Sequence, residues 1–328
     1  MSSIKPKIFI TRKPPHHVLE NLKAHFEVEV WESEDVEIPR DHLLNEVQNA
    51  DGLLCLLTES IDTDVLDAGR NLKVISNLAV GYNNINIGEA TAKGVMVTNT
   101  PGVLTETTAD LTFALLMATS RRLIEASAVL REGDWKTWSP MFMTGMDVHG
   151  STLGIIGLGD IGAAVARRAK GFNMKIVYHN RSPKPVLEEE LGIEYADLDT
   201  LLQSSDFVCV LTPFTKETKN LITLRELKQM KKTAILINTA RGGIVNEKDL
   251  IEALSEGDIW GAGLDVFEQE PVPIDHPLLQ FSNVVTLPHI GSASIQTRTK
   301  MWELAAKNIS DALQGKTPPN LVNKEVLN

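Results

Sequence analysis

Three places in the second half of the chain carry side chains suited to handling a carboxylate and a proton. Arg241 follows the apolar run of "AILINTARGGIVNE", Glu268 and Glu270 follow that of "GAGLDVFEQEP", and His289 closes "NVVTLPH". Each stands just past a segment that reads as a buried strand. An arginine binds a carboxylate through two parallel hydrogen bonds. A histidine beside a glutamate is favoured as imidazolium, so it holds a proton near neutrality and can give it to an oxygen. Arginine, glutamate and histidine together suit the reduction of a 2-oxo acid, where hydride arrives at carbon and a proton at the carbonyl oxygen. The other histidines (His16, His17, His25, His42, His149, His179 and His276) lack this setting, and no metal site is expected.

A hydride must come from a coenzyme, and the sequence has a place for one. "GIIGLGDIG" contains Gly157-Leu158-Gly159-Asp160-Ile161-Gly162, a G-x-G-x-x-G pattern. Alone the pattern is weak, but here a strand runs into it, a helical pattern leaves it, and a second strand follows. The first glycine permits the tight turn, the second lets backbone approach a pyrophosphate, and the third allows close helix–strand packing. Phosphates then sit at the helix N-terminus, which favours negative charge. The second strand ends in "YHNRS", where an acid for the ribose 2′-hydroxyl is usual. Asn180 takes the acid's place, removing its repulsion of a 2′-phosphate. Arg181 and Ser182 add a guanidinium and a hydroxyl that can bind phosphate oxygens. NADPH is therefore the expected coenzyme, with loose dual specificity for NADPH and NADH the alternative if Arg181 is only a solvated loop residue.

These residues need sheets to hold them. Near-continuous apolar strands alternate with helical patterns almost throughout, which argues for parallel sheets covered on both faces. The fold class read from this is α/β, with two doubly wound domains. Strands are expected at 7–11, 26–31, 52–57, 73–78 and 95–100 in a first block, and at 152–158, 175–180, 206–212, 234–240, 261–267 and 283–289 in a second. One long helix is expected over 105–131 and a last one over 294–314. A lone terminal helix cannot bury its apolar face unaided, so it is expected to return to the first block. The first domain is then discontinuous, 1–101 with 290–328, and 102–289 is the dinucleotide-binding domain. Ligands are expected in the cleft between them.

The 328 residues carry 43% hydrophobic and 23% charged side chains and a net charge of −11. Such an acidic chain is repelled by nucleic-acid phosphates and anionic lipid, so neither is an expected partner. Cys55 and Cys209 lie in apolar runs and read as reduced core thiols, fitting a cytoplasmic protein. No signal peptide or membrane span is read in the sequence.

"GIIGLGDIG", "INTARGGIVNE", "AGLDVFEQEP" and "LPHIGSA" together resemble the D-isomer-specific 2-hydroxyacid dehydrogenases, in order, spacing and over essentially the whole chain. The resemblance implies a Rossmann coenzyme domain inserted in a discontinuous flavodoxin-like domain, usually as a homodimer. It implies Arg241 as the substrate-binding and catalytic arginine, Glu270 rather than Glu268 as the histidine's partner, and His289 as acid/base. Within the family the likeness is to glyoxylate/hydroxypyruvate reductases. "NLAVGYNNIN" resembles their substrate loop, with the N–H groups of Val80 and Gly81 meeting the carboxylate. "GDWKTWSPMFMTG" resembles an arm that places Trp135 or Trp138 in the partner subunit's site. Further coenzyme contacts implied are Thr212, Pro213, Thr239, Asp265 and Gly291, with Asp265 near the nicotinamide carboxamide. The expected substrate is glyoxylate, hydroxypyruvate or 2-ketogluconate. Two other readings are a dinucleotide-sensing corepressor like the C-terminal binding proteins, and an NAD-preferring 2-hydroxyacid dehydrogenase.

Overall fold

Strands buried on both faces form where Val, Ile and Leu run without interruption, and they fix the frame of both sheets. The computed structural model describes residues 5–328. It divides into two compact units, residues 5–104 with 294–328, and residues 105–293. These divisions fall a few residues beyond those read from the sequence.

The first unit has five parallel strands: β1 (Lys7–Ile10), β2 (Glu27–Val30), β3 (Gly52–Cys55), β4 (Val74–Asn77) and β5 (Met96–Thr98), in the order β2-β1-β3-β4-β5. Phe9, Leu53, Ile75 and Val97 form its core with helix residues Val47 and Val65. The terminal helix Ile295–Leu313 belongs to this unit, burying Met301, Trp302, Ala305 and Ile309. The Ser76 hydroxyl donates to the Ala305 carbonyl at 2.9 Å, tying that helix to β4.

The second unit has seven parallel strands: β6 (Thr152–Ile156), β7 (Lys175–His179), β8 (Glu194–Tyr195), β9 (Phe207–Val210), β10 (Ile235–Asn238), β11 (Gly261–Leu264) and β12 (Val284–Thr286). Their order is β12-β11-β10-β9-β6-β7-β8. Counted along the chain within the unit this is a 3-2-1-4-5-6-7 sheet, a Rossmann arrangement whose direction reverses between β6 and β9.

Two elements differ from the sequence reading. The expected single helix over 105–131 is two, Thr105–Ser120 and Leu123–Arg131, broken at Arg122 with φ of 53°. The break has a tertiary cause. The Met146 N–H takes the Ser120 carbonyl at 2.8 Å, and Arg122 clasps Glu125 through two bonds of 2.8 and 2.7 Å. The second helix buries no residue, and Leu123, Ile124, Leu130, Trp135, Trp138, Met141 and Phe142 are exposed. The other difference is β8, whose two exposed residues give no hydrophobic signal.

Both cysteines are buried and free, and burial pushes the Cys209 thiol up to about 12. Among the described residues no helix is long and apolar enough to cross a membrane, and no cluster of three or more His, Cys, Asp or Glu is placed to hold a metal.

Candidate active site

The glycine segment joins β6 to the helix Asp160–Lys170 at the point where the sheet reverses. Gly157 adopts φ of 104°, and a Cβ there would lie 2.5 Å from the Thr212 nitrogen, so neither backbone nor space admits a side chain. That contact sets Thr212, just past β9, against the turn, and exposed Pro213 follows it. A Cβ at Gly162 would meet the Gly157 carbonyl at 2.4 Å, so the third glycine seats the helix on the turn. Gly159 faces open space. Among the described residues the N–H groups of Gly159, Asp160 and Ile161 meet no protein acceptor. Unpaired donors, an open glycine and a helix N-terminus fit a dinucleotide's phosphates.

Asn180 faces the protein. Its Oδ1 accepts the Leu158 N–H at 2.7 Å, and its Nδ2 donates to the Leu158 carbonyl at 3.3 Å. The amide thus pins the glycine turn. Arg181 and Ser182, which follow, are exposed. The segment carrying them is anchored by buried Tyr178, whose hydroxyl donates to Glu188 at 2.5 Å and accepts the Lys184 N–H at 2.6 Å. Burial, then the Glu188 bond, pushes that hydroxyl up to about 12.

Arg241, Glu270 and His289 come together past β10, β11 and β12. Buried Asn238, the last residue of β10, shapes the arginine's turn, donating to the Arg241 carbonyl at 3.0 Å and accepting the Ala240 N–H at 3.1 Å. Desolvation pulls the guanidinium below the usual arginine range, and the charge of Glu270 opposes it. The His289 Nδ1–H donates to Glu270 Oε2 at 2.6 Å, and Glu270 Oε1 accepts the Phe267 N–H at 2.9 Å. Burial alone would raise Glu270. The His289 hydrogen bond and charge, the Phe267 N–H and Arg241 outweigh it and hold the carboxyl below its usual range. Glu268 turns instead to the Glu247 N–H.

His289 itself has φ of 54°, unusual for a residue with a side chain. Asp265, just past β11, holds it there. Its two oxygens accept the N–H groups of Ile290 and Gly291, each at 2.8 Å. Burial raises this carboxyl, against the pull of those N–H groups and of His289. Read alone, the sequence offers Asp265 only as a strand-end acid. No signal there joins it to a segment 25 residues later. Thr239 is buried, its hydroxyl 2.7 Å from that of Thr112.

In the first unit, Val80 and Gly81 form a loop after β4. Asn99 donates to the Val80 carbonyl at 2.8 Å and Asn77 to the Gly81 carbonyl at 2.9 Å. Among the described residues neither loop N–H has a protein acceptor, so both remain available for an anion. Trp138 is 75% exposed, and no hydrogen bond or ring contact links it to Arg241, Glu270 or His289.

The family model for the NAD-binding domain of D-isomer specific 2-hydroxyacid dehydrogenases matches residues 113–291. The chain belongs to that family. This dehydrogenase is 51% identical over 325 residues to a glyoxylate reductase of Korarchaeum cryptofilum, covering 99% of this chain and 98% of the relative. It is 53% identical over 329 residues to a glyoxylate reductase of Thermococcus onnurineus, at the same coverage. Among solved structures it resembles an NADPH-dependent glyoxylate/hydroxypyruvate reductase of Sinorhizobium meliloti in complex with NADP and malonate. That match has a TM-score of 0.86 and 35% identity, covering 98% of each chain. The dehydrogenase is thus an oxidoreductase with a nicotinamide dinucleotide site.

Two expectations follow from the site. A Cβ at position 242 would stand 1.8 Å from the Phe267 carbonyl oxygen, so Arg241's turn and the turn leading to Glu270 meet backbone to backbone. Gly242→Ala should destabilise the fold by about 3 kcal/mol, read from urea unfolding midpoints, and should lower turnover. The depressed Glu270 carboxyl gives a pH signature. A lowered native value means the ionised group stabilises the fold above the ordinary carboxylate range, and that contribution is lost as pH falls through the native value. The Tm advantage of wild type over Glu270→Gln should therefore be widest near neutrality and shrink as pH falls through and below the ordinary carboxylate range.

Proposed function

We propose that the enzyme reduces small 2-oxo acids to D-2-hydroxy acids with NADPH, glyoxylate and hydroxypyruvate first among them and 2-ketogluconate as a longer candidate. The observation that carries this reading is the His289–Glu270 contact of 2.6 Å beside Arg241. Both curated relatives described above are named glyoxylate reductases.

When bound, the reduced nicotinamide supplies the hydride. Arg241 holds the substrate carboxylate through its guanidinium fork, and the free N–H groups of Val80 and Gly81 are suited to an anion. His289, bound to Glu270 through Nδ1, uses Nε2 to deliver a proton to the carbonyl oxygen. Glu270 stabilises the imidazolium before transfer and fixes its tautomer afterwards. Gly157 to Gly162 would hold the pyrophosphate. Arg181 and Ser182 would bind a 2′-phosphate, and Asn180 shapes the glycine turn. Thr212, Pro213, Thr239, Asp265 and Gly291 would complete the coenzyme's surroundings.

Leu123, Ile124, Leu130, Trp135 and Trp138 are all exposed, and exposed large apolar side chains suit an interface. A homodimer covering them, with Trp138 closing the partner's site, accounts for that exposure. Sedimentation equilibrium tests the dimer.

Steady-state reduction of glyoxylate, hydroxypyruvate and 2-ketogluconate with each coenzyme tests the whole assignment, and no turnover with any of them would refute it. Arg181→Asp should lower kcat/KM for NADPH by about 10- to 100-fold, through one or more lost charge-assisted bonds, and leave NADH nearly unchanged. Equal losses with both coenzymes would reduce Arg181 to a structural residue.

A further inference from the structure

Two carboxylates and an imidazole outside this set touch the segments that carry it. Glu247 opens the helix Glu247–Glu256, downstream of Arg241 in the same connection, and Glu268 stands in the turn that leads to Glu270. They exchange hydrogen bonds, each backbone N–H donating to the other's carboxylate. The Glu247 N–H donates to Glu268 Oε1 at 3.0 Å, and the Glu268 N–H donates to Glu247 Oε1 at 2.6 Å. The connection leaving Arg241 is thereby stapled to the turn bearing Glu270.

His276 adds a third attachment. The Leu278 N–H donates to its Nδ1 at 3.3 Å, which puts the ring proton on Nε2, facing Glu247 Oε2 at 3.2 Å. Its ring meets Phe267 edge-on with centroids 6.3 Å apart. The Phe267 N–H is the group that Glu270 Oε1 accepts. Each Glu247 oxygen therefore has one partner, and both partners lie in the 267–276 turn. Burial, and then the nearby charge of Glu268, push the Glu247 carboxyl up, and His276 draws it back. Acids this close repel, and donated hydrogen bonds are what offset it.

We propose that Glu247, Glu268 and His276 form a positioning clamp that fixes the Glu270–His289 pair relative to Arg241, a reading that rests on the catalytic assignment above. A turn released from the clamp moves Glu270, and the 2.6 Å contact that orients His289 loosens with it. Such small misplacements reduce rate far more than they reduce coenzyme affinity.

The test compares Glu268→Ala with Glu268→Gln in the full chain, using glyoxylate and NADPH, with His289→Ala as reference. Glutamine keeps Oε1 as an acceptor for the Glu247 N–H, and alanine does not. Glu268→Ala should lower kcat by about 10-fold or more, with KM changing less than kcat and the NADPH Kd unchanged. Glu268→Gln should restore most of kcat. Wild-type kcat in Glu268→Ala, with His289→Ala inactive, would overturn the clamp and leave the catalytic assignment standing. Equal losses in the alanine and glutamine variants, or a parallel loss of NADPH affinity, would overturn it as well. A fully active His289→Ala would remove the assignment and the clamp together.

Discussion

His289→Ala should lower kcat by about 10²- to 10⁴-fold, the range contributed by a positioned general acid. The NADPH Kd, checked by fluorescence titration, should stay near wild type. The reason lies in how the imidazole is held. Its Nδ1–H is committed to Glu270 at 2.6 Å, and Asp265 fixes the two residues that follow it. A ring held at one nitrogen presents the other in a defined direction, and alanine leaves only water to protonate the carbonyl oxygen. The glycine turn and the Asn180 pin are separate from this contact, so coenzyme binding survives. Retained full activity would take His289 out of the mechanism.

Arg241→Ala should lower kcat/KM for glyoxylate by about 10³-fold, from two charge-assisted hydrogen bonds of roughly 1.5–3 kcal/mol each that are not fully additive. Arg241→Lys keeps a charge but not the fork, so its loss is smaller, about 10- to 100-fold. Desolvation also matters. The guanidinium is drawn below its usual range by its surroundings, so a bound carboxylate meets a poorly hydrated and strongly attractive partner. Steady-state kinetics over a wide glyoxylate range check the prediction. An unchanged kcat/KM in Arg241→Ala would assign carboxylate binding elsewhere.

The strands were legible because their residues are apolar on both faces, and "IIGL", "VCVL" and "ILIN" leave little alternative to buried parallel strands. The return of the terminal helix was legible from its unaided apolar face. Features made by distant partners were not. "SRRL" has no glycine or proline to announce a break at Arg122, which depends on Met146 taking the Ser120 carbonyl. β8 exists because Val177 and Tyr178 offer an edge to two exposed residues. By residue type alone Glu268 and Glu270 look equivalent; the family pattern favours Glu270, and the distances place it beside His289 and Glu268 beside Glu247. The asparagines behind Val80 and Gly81 are equally silent, because each acts by donating to a loop carbonyl that the sequence does not mark as its partner.

The inward turn of Asn180 has a consequence for how this enzyme's coenzyme choice can change over evolution. The residue that shapes the nucleotide turn and the residues that would greet its ribose are different residues. Tyr178 fastens the stretch behind them independently. Arg181 and Ser182 are thus removable fittings on a frame that does not depend on them. On the proposed reading of Arg181 and Ser182, a lineage could trade one coenzyme pool for the other by two surface exchanges, with the turn that Asn180 pins left untouched.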